Sequence, residues 1–114
     1  MTPNEYQLAA MATAPEHIFD HADEALDNAA LGLCGEAGEF ADILKKHFYQ
    51  GHPNEPKHLA KELGDILWYV AMGATALGYD FEEIMIMNIE KLKARYPEGY
   101  FDSERSQHRE EGDI

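Results

Sequence analysis

Helix-breaking residues divide this sequence into segments that each carry a helical pattern of apolar residues. The breakers are Pro15, the run 51–53, Gly78 and Pro97, and glycine or proline at such places ends or bends a helix. Between the breakers, apolar residues recur at spacings of three and four, whereas the alternation typical of a strand is missing. The sequence therefore predicts an all-α fold.

The boundaries of four main helices follow from these breakers and from capping signals. At the first helix, Thr2 and Glu5 have the spacing of a capping box, with a proline between them in the first turn. At the fourth, Asp80 is placed to act as the N-cap. The predicted helices run from Thr2 to about residue 13, from just after residue 15 to about Tyr49, from about Asn54 to Gly78, and from Asp80 to about Tyr96.

Length and composition indicate a single all-α domain over residues 1–114, with a core of about 20–97 and a polar tail over 98–114. The tail is expected to be a loose terminus. The alternative is a flap over a site or a partner subunit, which would use Tyr100, Phe101, Arg105 and Arg109. With 45% apolar residues the chain can form a core, but the core of a 114-residue domain is thin, so oligomerisation is expected.

Charge and targeting signals limit the partners and the location. A net charge of −13 argues against a nucleic-acid partner, which needs a basic surface. No apolar run is long enough to span a membrane, and the N-terminus lacks the pattern of a secretory signal. The single cysteine, Cys34, cannot form an internal disulfide and is expected to be a small buried residue. We therefore expect a cytoplasmic protein.

Two pairs of carboxylates are spaced so that each pair shares a helix face. Glu36 and Glu39 lie three residues apart in the second helix, and Glu62 and Asp65 have the same spacing in the third. A helical wheel places both pairs at the margin of the apolar arc, where an unpaired carboxylate is costly to bury. Four carboxylates gathered on neighbouring helices repel one another unless a hard cation with oxygen ligands lies among them.

Three glycines interrupt the second helix beside the first carboxylate pair. They are Gly32, Gly35 and Gly38, and each costs roughly 1 kcal/mol relative to alanine in a helix interior. Such a concentration predicts either a bend or a close approach by another helix or a ligand.

The donor types indicate which chemistry the site can perform. All-oxygen ligands favour Mg²⁺ or Mn²⁺, and the E-x-x-H motif of helical di-iron sites is missing. On the fourth helix, Asn88, Lys91 and Arg95 fall on one side and form a candidate phosphate-binding stripe. The histidines lack zinc-like spacing and are expected to be solvated, with His21 and His47 as candidates to line a site. These residues favour metal-assisted hydrolysis of a phosphoanhydride, with a metal-bound water as nucleophile.

Four runs of the sequence resemble the MazG-like nucleoside triphosphate pyrophosphohydrolases, which belong to the all-α NTP pyrophosphatase superfamily. In family order they are residues 32–42 (GLCGEAGEFAD), 45–46 (KK), 62–69 (ELGDILWY) and 88–97 (NIEKLKARYP). The resemblance implies a four-helix-bundle-like fold in a homodimer or homotetramer, with sites built near helices of two subunits. It also implies Mg²⁺-dependent cleavage of an NTP or dNTP between the α and β phosphates, which yields a nucleoside monophosphate and pyrophosphate.

The same resemblance implies roles for individual residues. The metal ligands of the catalytic site would be Glu36, Glu39, Glu62 and Asp65. The phosphates or the ribose would be contacted by Lys46, Asn88, Lys91 and Arg95. Trp68 and Tyr69 are candidates to stack on the nucleoside, and the alternative for this pair is that they are plain core or interface aromatics.

Other functions stay open at this point. One alternative is a non-catalytic helical module that binds a metal ion, a nucleotide or a protein partner; the complete set of four carboxylates argues against it. Within the enzymes, the alternatives are hydrolysis of phosphoribosyl-ATP and a dUTPase-like activity. The preferred base and sugar stay open as well, so these substrates are not separated by the sequence.

Overall fold

A computed structural model describes residues 1–53 and 55–108, and within them all regular structure is helical. The α-helices are α1 (Pro3–Met11), α2 (Ala22–Gln50), α3 (Pro56–Leu77), α4 (Phe81–Arg95) and α5 (Ser103–Gln107), with a 3₁₀ turn at Ile18–Asp20. No strand occurs in the described residues, so the all-α prediction is confirmed. None of these helices is long and apolar enough to cross a membrane.

The chain divides into two compact units, Met1–Asp80 and a second that begins at Phe81. In the first unit, α2 packs along α3 over much of its length, and α1 packs on α3. The second unit contains α4 and α5. The expectation of a single domain over residues 1–114 stays a prediction.

Helix α1 begins as its capping signal predicts and is attached to α3 by a buried amide. Thr2 accepts a hydrogen bond from the Glu5 backbone N–H, and the Glu5 side chain returns one to the Thr2 backbone. The Nε2 group of Gln7 donates to Thr75 Oγ1 at 3.0 Å and to the Tyr79 carbonyl at 3.1 Å. Because Gln7 is 8% exposed, these bonds satisfy a polar group that would otherwise be costly to bury. The helix ends at Met11, two residues before the predicted end.

The two glycine breakers end α2 and α3 in the expected way. Gly51 and Gly78 adopt the left-handed conformation, with φ of 70° and 81°, which only glycine enters without a steric cost. The starts of these helices are less well predicted. A 3₁₀ turn precedes α2, and α3 begins at Pro56, because proline fits the first helical turn. The predicted start at Asn54 lies outside the described residues.

The core between α2 and α3 consists mainly of alanine. Ala25 and Ala29 on α2 are 0% and 1% exposed, and on α3 the buried residues are Ala71, Met72 and Ala74. Small side chains let the two backbones come close, and the Cβ of Ala29 lies 3.6 Å from the place a Cβ would take on Gly73. The core is therefore as thin as the short chain predicts, and many larger apolar residues remain at the surface.

The prediction that Cys34 is buried is wrong, because this residue is exposed. The residues of α2 that face α3 include Ala25, Ala29 and Gly32, which follow a spacing of three and four. Cys34 lies two positions from Gly32, about 200° further around the helix, and so it faces away from α3.

The described part of the tail is more ordered than the expected loose terminus. In the second unit, the Phe101 ring lies 5.4 Å from that of Tyr96, after a turn at Gly99. Asp102 then caps α5 by accepting hydrogen bonds from two backbone N–H groups. Of the four residues assigned to a flap, Arg109 lies outside the described residues, and the flap itself stays a prediction.

Candidate active site

Three of the four predicted carboxylates come together between α2 and α3. Glu36 is supplied by α2, and Glu62 and Asp65 are supplied by successive turns of α3. One carboxylate oxygen from each lies within 4.8 Å of the others. The three-residue spacing of Glu62 and Asp65 puts both on the side of α3 that meets α2, so the cluster is a consequence of how the helices pair.

Two oxygens of this cluster are buried without a hydrogen-bond partner. They are Oε2 of Glu36 and Oε2 of Glu62, and the Glu62 side chain is only 12% exposed. A buried acceptor without a partner costs free energy, and a buried charge costs more. Oxygen ligands that converge in this way suit a hard divalent cation, which would satisfy both orphaned atoms. The donor set therefore fits a metal ion.

The cluster raises the pKa of Glu36 from 4.5 to about 7. The largest cause is partial burial, which disfavours the charged form. The negative charges of Glu39 and Asp65 act in the same direction. A protonated Glu36 could also donate a hydrogen bond to the Glu62 or Glu39 carboxylate, which raises its pKa further. Without a cation, Glu36 thus retains its proton at a pH where an ordinary glutamate has lost it.

Glu39, the fourth predicted ligand, lies beside the cluster and outside the group of three. It is exposed on α2, and yet it is close enough to Glu36 for its charge to raise the pKa of that carboxyl. Because it is three residues beyond Glu36 on the same helix, its side chain follows the same face toward the solvent.

An open cavity of about 290 Å³ adjoins the carboxylates and is lined by Glu36, Asp65, Trp68 and Tyr69. The rings of Trp68 and Tyr69 meet edge to face, with centroids 4.9 Å apart and an interplanar angle of 81°. Both predicted nucleoside-stacking residues therefore border the same space as two of the carboxylates. Aromatic faces at this place are suited to a planar base.

The Tyr69 ring, which lines this cavity, explains why residue 32 is a glycine. A Cβ on Gly32 would overlap the Tyr69 ring, so only glycine lets that ring lie directly against α2. The other two glycines of the run, Gly35 and Gly38, have no atom within 4 Å of the place where a Cβ would stand. Of the two predicted reasons for the glycines, close approach by another helix applies to Gly32.

Helix α1 contributes to the site in a way that the sequence did not indicate. The indole N–H of Trp68 donates to the Ala10 carbonyl at 3.1 Å and to Thr13 Oγ1 at 2.8 Å. These bonds fix the orientation of the Trp68 ring from the end of α1. On the same helix, burial and then the negative charge of Asp65 raise the pKa of the Tyr6 phenol. Local patterns in α1 gave no signal for either contact.

Lys46 lies in a second cavity of about 260 Å³, lined also by His52 and His58. Its Nζ is 2.8 Å from Asp42 Oδ2, one turn earlier on α2. The hydrogen bond and charge of Lys46, followed by those of Lys45, lower the pKa of Asp42. Lys46, a predicted phosphate contact, is thus held by a carboxylate of its own helix in this structure.

His58 is a residue that the sequence reasoning missed. Its Nε2 lies 3.4 Å from Oε1 of Glu62, one turn later on α3. The candidates named instead were His21 and His47, and His47 Nδ1 lies 2.8 Å from the carbonyl of His52. The spacing of four between His58 and Glu62 predicts that the two side chains are neighbours on the helix. The sequence does not show that Glu62 is mostly buried, which is what distinguishes this pair from a surface pair.

The remaining predicted substrate contacts lie in the second unit. Asn88, Lys91 and Arg95 are all on α4, where positions three and four apart share a side of the helix. Their assignment to phosphate or ribose stays a prediction, as do the roles assigned to the carboxylates, to Lys46 and to the two aromatic residues.

The α2–α3 pair, which gathers three carboxylates next to two aromatic rings, places the chain among the all-α proteins with an acidic cluster that could hold a metal ion. A family model described as the MazG nucleotide pyrophosphohydrolase domain matches residues 25–100. The chain therefore belongs to the MazG nucleotide pyrophosphohydrolase family, and the suspected resemblance is confirmed.

A phage protein is also similar to this chain. The Gene 37 protein of Mycobacterium phage L5 is 35% identical over 100 residues, which cover 82% of this chain and 88% of the phage protein. Its name carries no information on activity. No solved structure matches the chain with statistical significance.

Proposed function

We propose that this protein is a Mg²⁺-dependent nucleotide pyrophosphohydrolase that cleaves an NTP or dNTP into the monophosphate and pyrophosphate. The observation that carries the proposal is the group of three carboxylates within 4.8 Å, two of which have a buried oxygen without a partner. Membership of the MazG family supports the reaction type. Mn²⁺ has the same preference for oxygen ligands and is a plausible substitute.

The proposed ligands are Glu36, Glu62 and Asp65, with Glu39 as a fourth. When bound, the divalent cation supplies positive charge that offsets the phosphates and activates a water for attack. Glu39 is exposed and close to Glu36, which supports a role as proton acceptor or as the fourth ligand. The partial burial of Glu36 and Glu62 strengthens their attraction for a cation, because less water screens their charges.

The proposed orientation of the substrate follows from what lies on each side of the carboxylates. Trp68 and Tyr69 border one cavity and would hold the nucleoside by stacking. The phosphates would then extend toward Lys46 on α2. Separately, Asn88, Lys91 and Arg95 on α4 stay our predicted contacts to the phosphates or the ribose.

We also propose that the protein acts as a homodimer or homotetramer in the cytoplasm. Exposed apolar residues support the assembly: on α3, Leu63 and Leu67 are 50% and 44% exposed. They lie on the turns that carry Glu62 and Asp65. Apolar surface of this kind marks interaction sites, and light scattering on the purified protein measures the number of subunits directly.

The experiment is a substrate panel with pyrophosphate release as the readout. The panel contains the common NTPs and dNTPs with dUTP among them, and phosphoribosyl-ATP, each with Mg²⁺ and with EDTA. We expect Mg²⁺-dependent release from at least one nucleotide, and a loss of at least about 100-fold in Glu62→Gln. The matched control is Glu24→Gln, which alters an exposed glutamate in the first turn of α2. If no nucleotide is cleaved but Mg²⁺ and a non-hydrolysable nucleotide bind tightly, the protein is a binding module and the proposal is wrong.

A further inference from the structure

We infer that His58 is a positioning residue that holds the Glu62 carboxylate for its metal ion, an inference that rests on the proposed function. The two residues are one helical turn apart on α3, and His58 Nε2 lies 3.4 Å from Oε1 of Glu62. The other oxygen of Glu62, Oε2, is buried without a hydrogen-bond partner. The histidine thus engages one oxygen and leaves the second for the cation.

The unequal burial of the pair sets it apart from an ordinary surface ion pair. Surface pairs spaced by four residues on a helix contribute little to stability, since water screens both charges. Here the Glu62 side chain is 12% exposed, whereas that of His58 is 52% exposed. The contact therefore joins a mostly buried carboxylate to a more exposed imidazole that lines the neighbouring cavity.

A carboxylate in such a site needs an external contact to stay oriented. Glu62 stands next to Glu36 and Asp65, whose negative charges push its carboxylate away from the place where the three oxygens converge. The contact of His58 with Oε1 opposes that repulsion and reduces the freedom of the side chain before the metal ion binds. Outer contacts of this kind commonly change metal affinity by 10-fold to 100-fold.

The test measures binding of Mn²⁺ alone to the metal-free full chain by calorimetry, so that turnover plays no part. His58→Leu removes the imidazole nitrogen that contacts Glu62, and we expect about tenfold weaker Mn²⁺ binding. His58→Gln keeps an N–H donor of similar reach, and we expect an affinity within about threefold of the wild type. His52→Gln is the matched control, because His52 lines the same cavity and should leave the affinity unchanged.

Thermal unfolding in EDTA separates orientation from folding. A role in stability alone would lower the melting temperature of His58→Leu and leave the Mn²⁺ affinity of the folded protein unchanged, which would overturn the inference. Equal losses in His58→Leu and His58→Gln would overturn it as well, since donation would then be irrelevant. If the wild type itself fails to bind Mn²⁺, or if Glu62→Gln binds it equally well, the proposed metal site is wrong and the role of His58 is lost with it.

Discussion

The α2–α3 pair has two contrasting parts, which we call the alanine end and the charged end. At one end, Ala25 and Ala29 pack against Ala71 and Met72, and all four are at most 1% exposed. At the other end, the facing residues include Glu36 and Glu62, whose buried oxygens have no partner. The first end gains free energy from close packing. The second loses free energy through desolvation and repulsion, a loss that a bound cation would offset.

The largest effect should come from removing a carboxylate at the charged end. In Glu36→Gln we expect Mn²⁺ binding to weaken by about 100-fold, because a charged ligand is replaced by a neutral amide. In EDTA the same variant should unfold at a higher temperature than the wild type, because the repulsion that raises the pKa of Glu36 is gone. Calorimetry and thermal unfolding measure the two quantities on one sample.

The control for that prediction is Glu24→Gln, an exposed glutamate on the same helix. It should change neither Mn²⁺ binding nor the response to EDTA by a comparable amount. A Glu36→Gln protein that is less stable than the wild type without metal would show that the carboxylate makes a structural contact, and the contrast between the two ends would then fail.

Overpacking the alanine end should produce the next largest effect. Ala29→Leu adds three carbon atoms where Ala29 is 1% exposed and faces Gly73, and we expect a loss of about 1–3 kcal/mol in the free energy of unfolding. Ala30→Leu, at the exposed neighbouring position, should be close to neutral. Urea denaturation compares the two. Equal stabilities would mean that the helices separate easily at this end and that close packing contributes little.

The parts of the fold that depend on local chemistry were predictable from the sequence. The capping box of Thr2 and Glu5 forms because its two hydrogen bonds join residues three apart. The ends of α2 and α3 were predictable for the same reason, since Gly51 and Gly78 adopt left-handed backbone angles without help from distant residues. The spacing of Glu62 and Asp65 likewise indicated a shared face before any packing was known.

The contacts that join distant parts of the chain were not predictable. The bond from Trp68 to the Ala10 carbonyl spans 58 positions, and the overlap that forbids a side chain at Gly32 involves the ring of Tyr69. Periodicity says which face of a helix is apolar and not how closely another helix approaches it. The exposure of Cys34 was missed for this reason, because only the α2–α3 pairing decides which side of α2 is covered.

A smaller change in stability should follow from adding a side chain at Gly32, which lies between the alanine end and the charged end. In Gly32→Ala the new methyl group would overlap the Tyr69 ring, so the ring must move. Alanine favours the helix by about 1 kcal/mol, and we expect displacement of the ring to outweigh this, with a net loss of about 1 kcal/mol. Because Trp68 is the single tryptophan and its ring meets that of Tyr69, the emission spectrum should also shift.

Gly38→Ala is the matched control for this change. Nothing lies within 4 Å of its Cβ position, so the variant should be more stable by about 0.5–1 kcal/mol through helix propensity alone. If both variants are stabilised and the tryptophan emission is unchanged, Gly32 does not set the position of Tyr69, and the aromatic cavity is not shaped by this contact.

The smallest expected effect is a gradual change with pH in stability and in Mn²⁺ affinity, caused by Glu36 at the charged end. Because the pKa of Glu36 is raised from 4.5 to about 7 in the folded protein, the folded state binds this proton more tightly than the unfolded state. The resulting stability is fully present below about pH 4.5 and is lost as the pH rises through about 7. A cation must displace the same proton, so Mn²⁺ affinity should fall as the pH drops below 7.

Paired thermal unfolding of the wild type and Glu36→Gln in EDTA, from pH 5 to pH 8, isolates this one group. The melting temperature of the variant relative to the wild type should increase over that range, because only the wild type loses the contribution of a protonated Glu36. With saturating Mn²⁺ the order should reverse at pH 8, since the ionised carboxylate then stabilises the fold through the metal ion. A constant difference across the range would show that Glu36 does not titrate there. The charged end would then destabilise the metal-free protein equally at every pH.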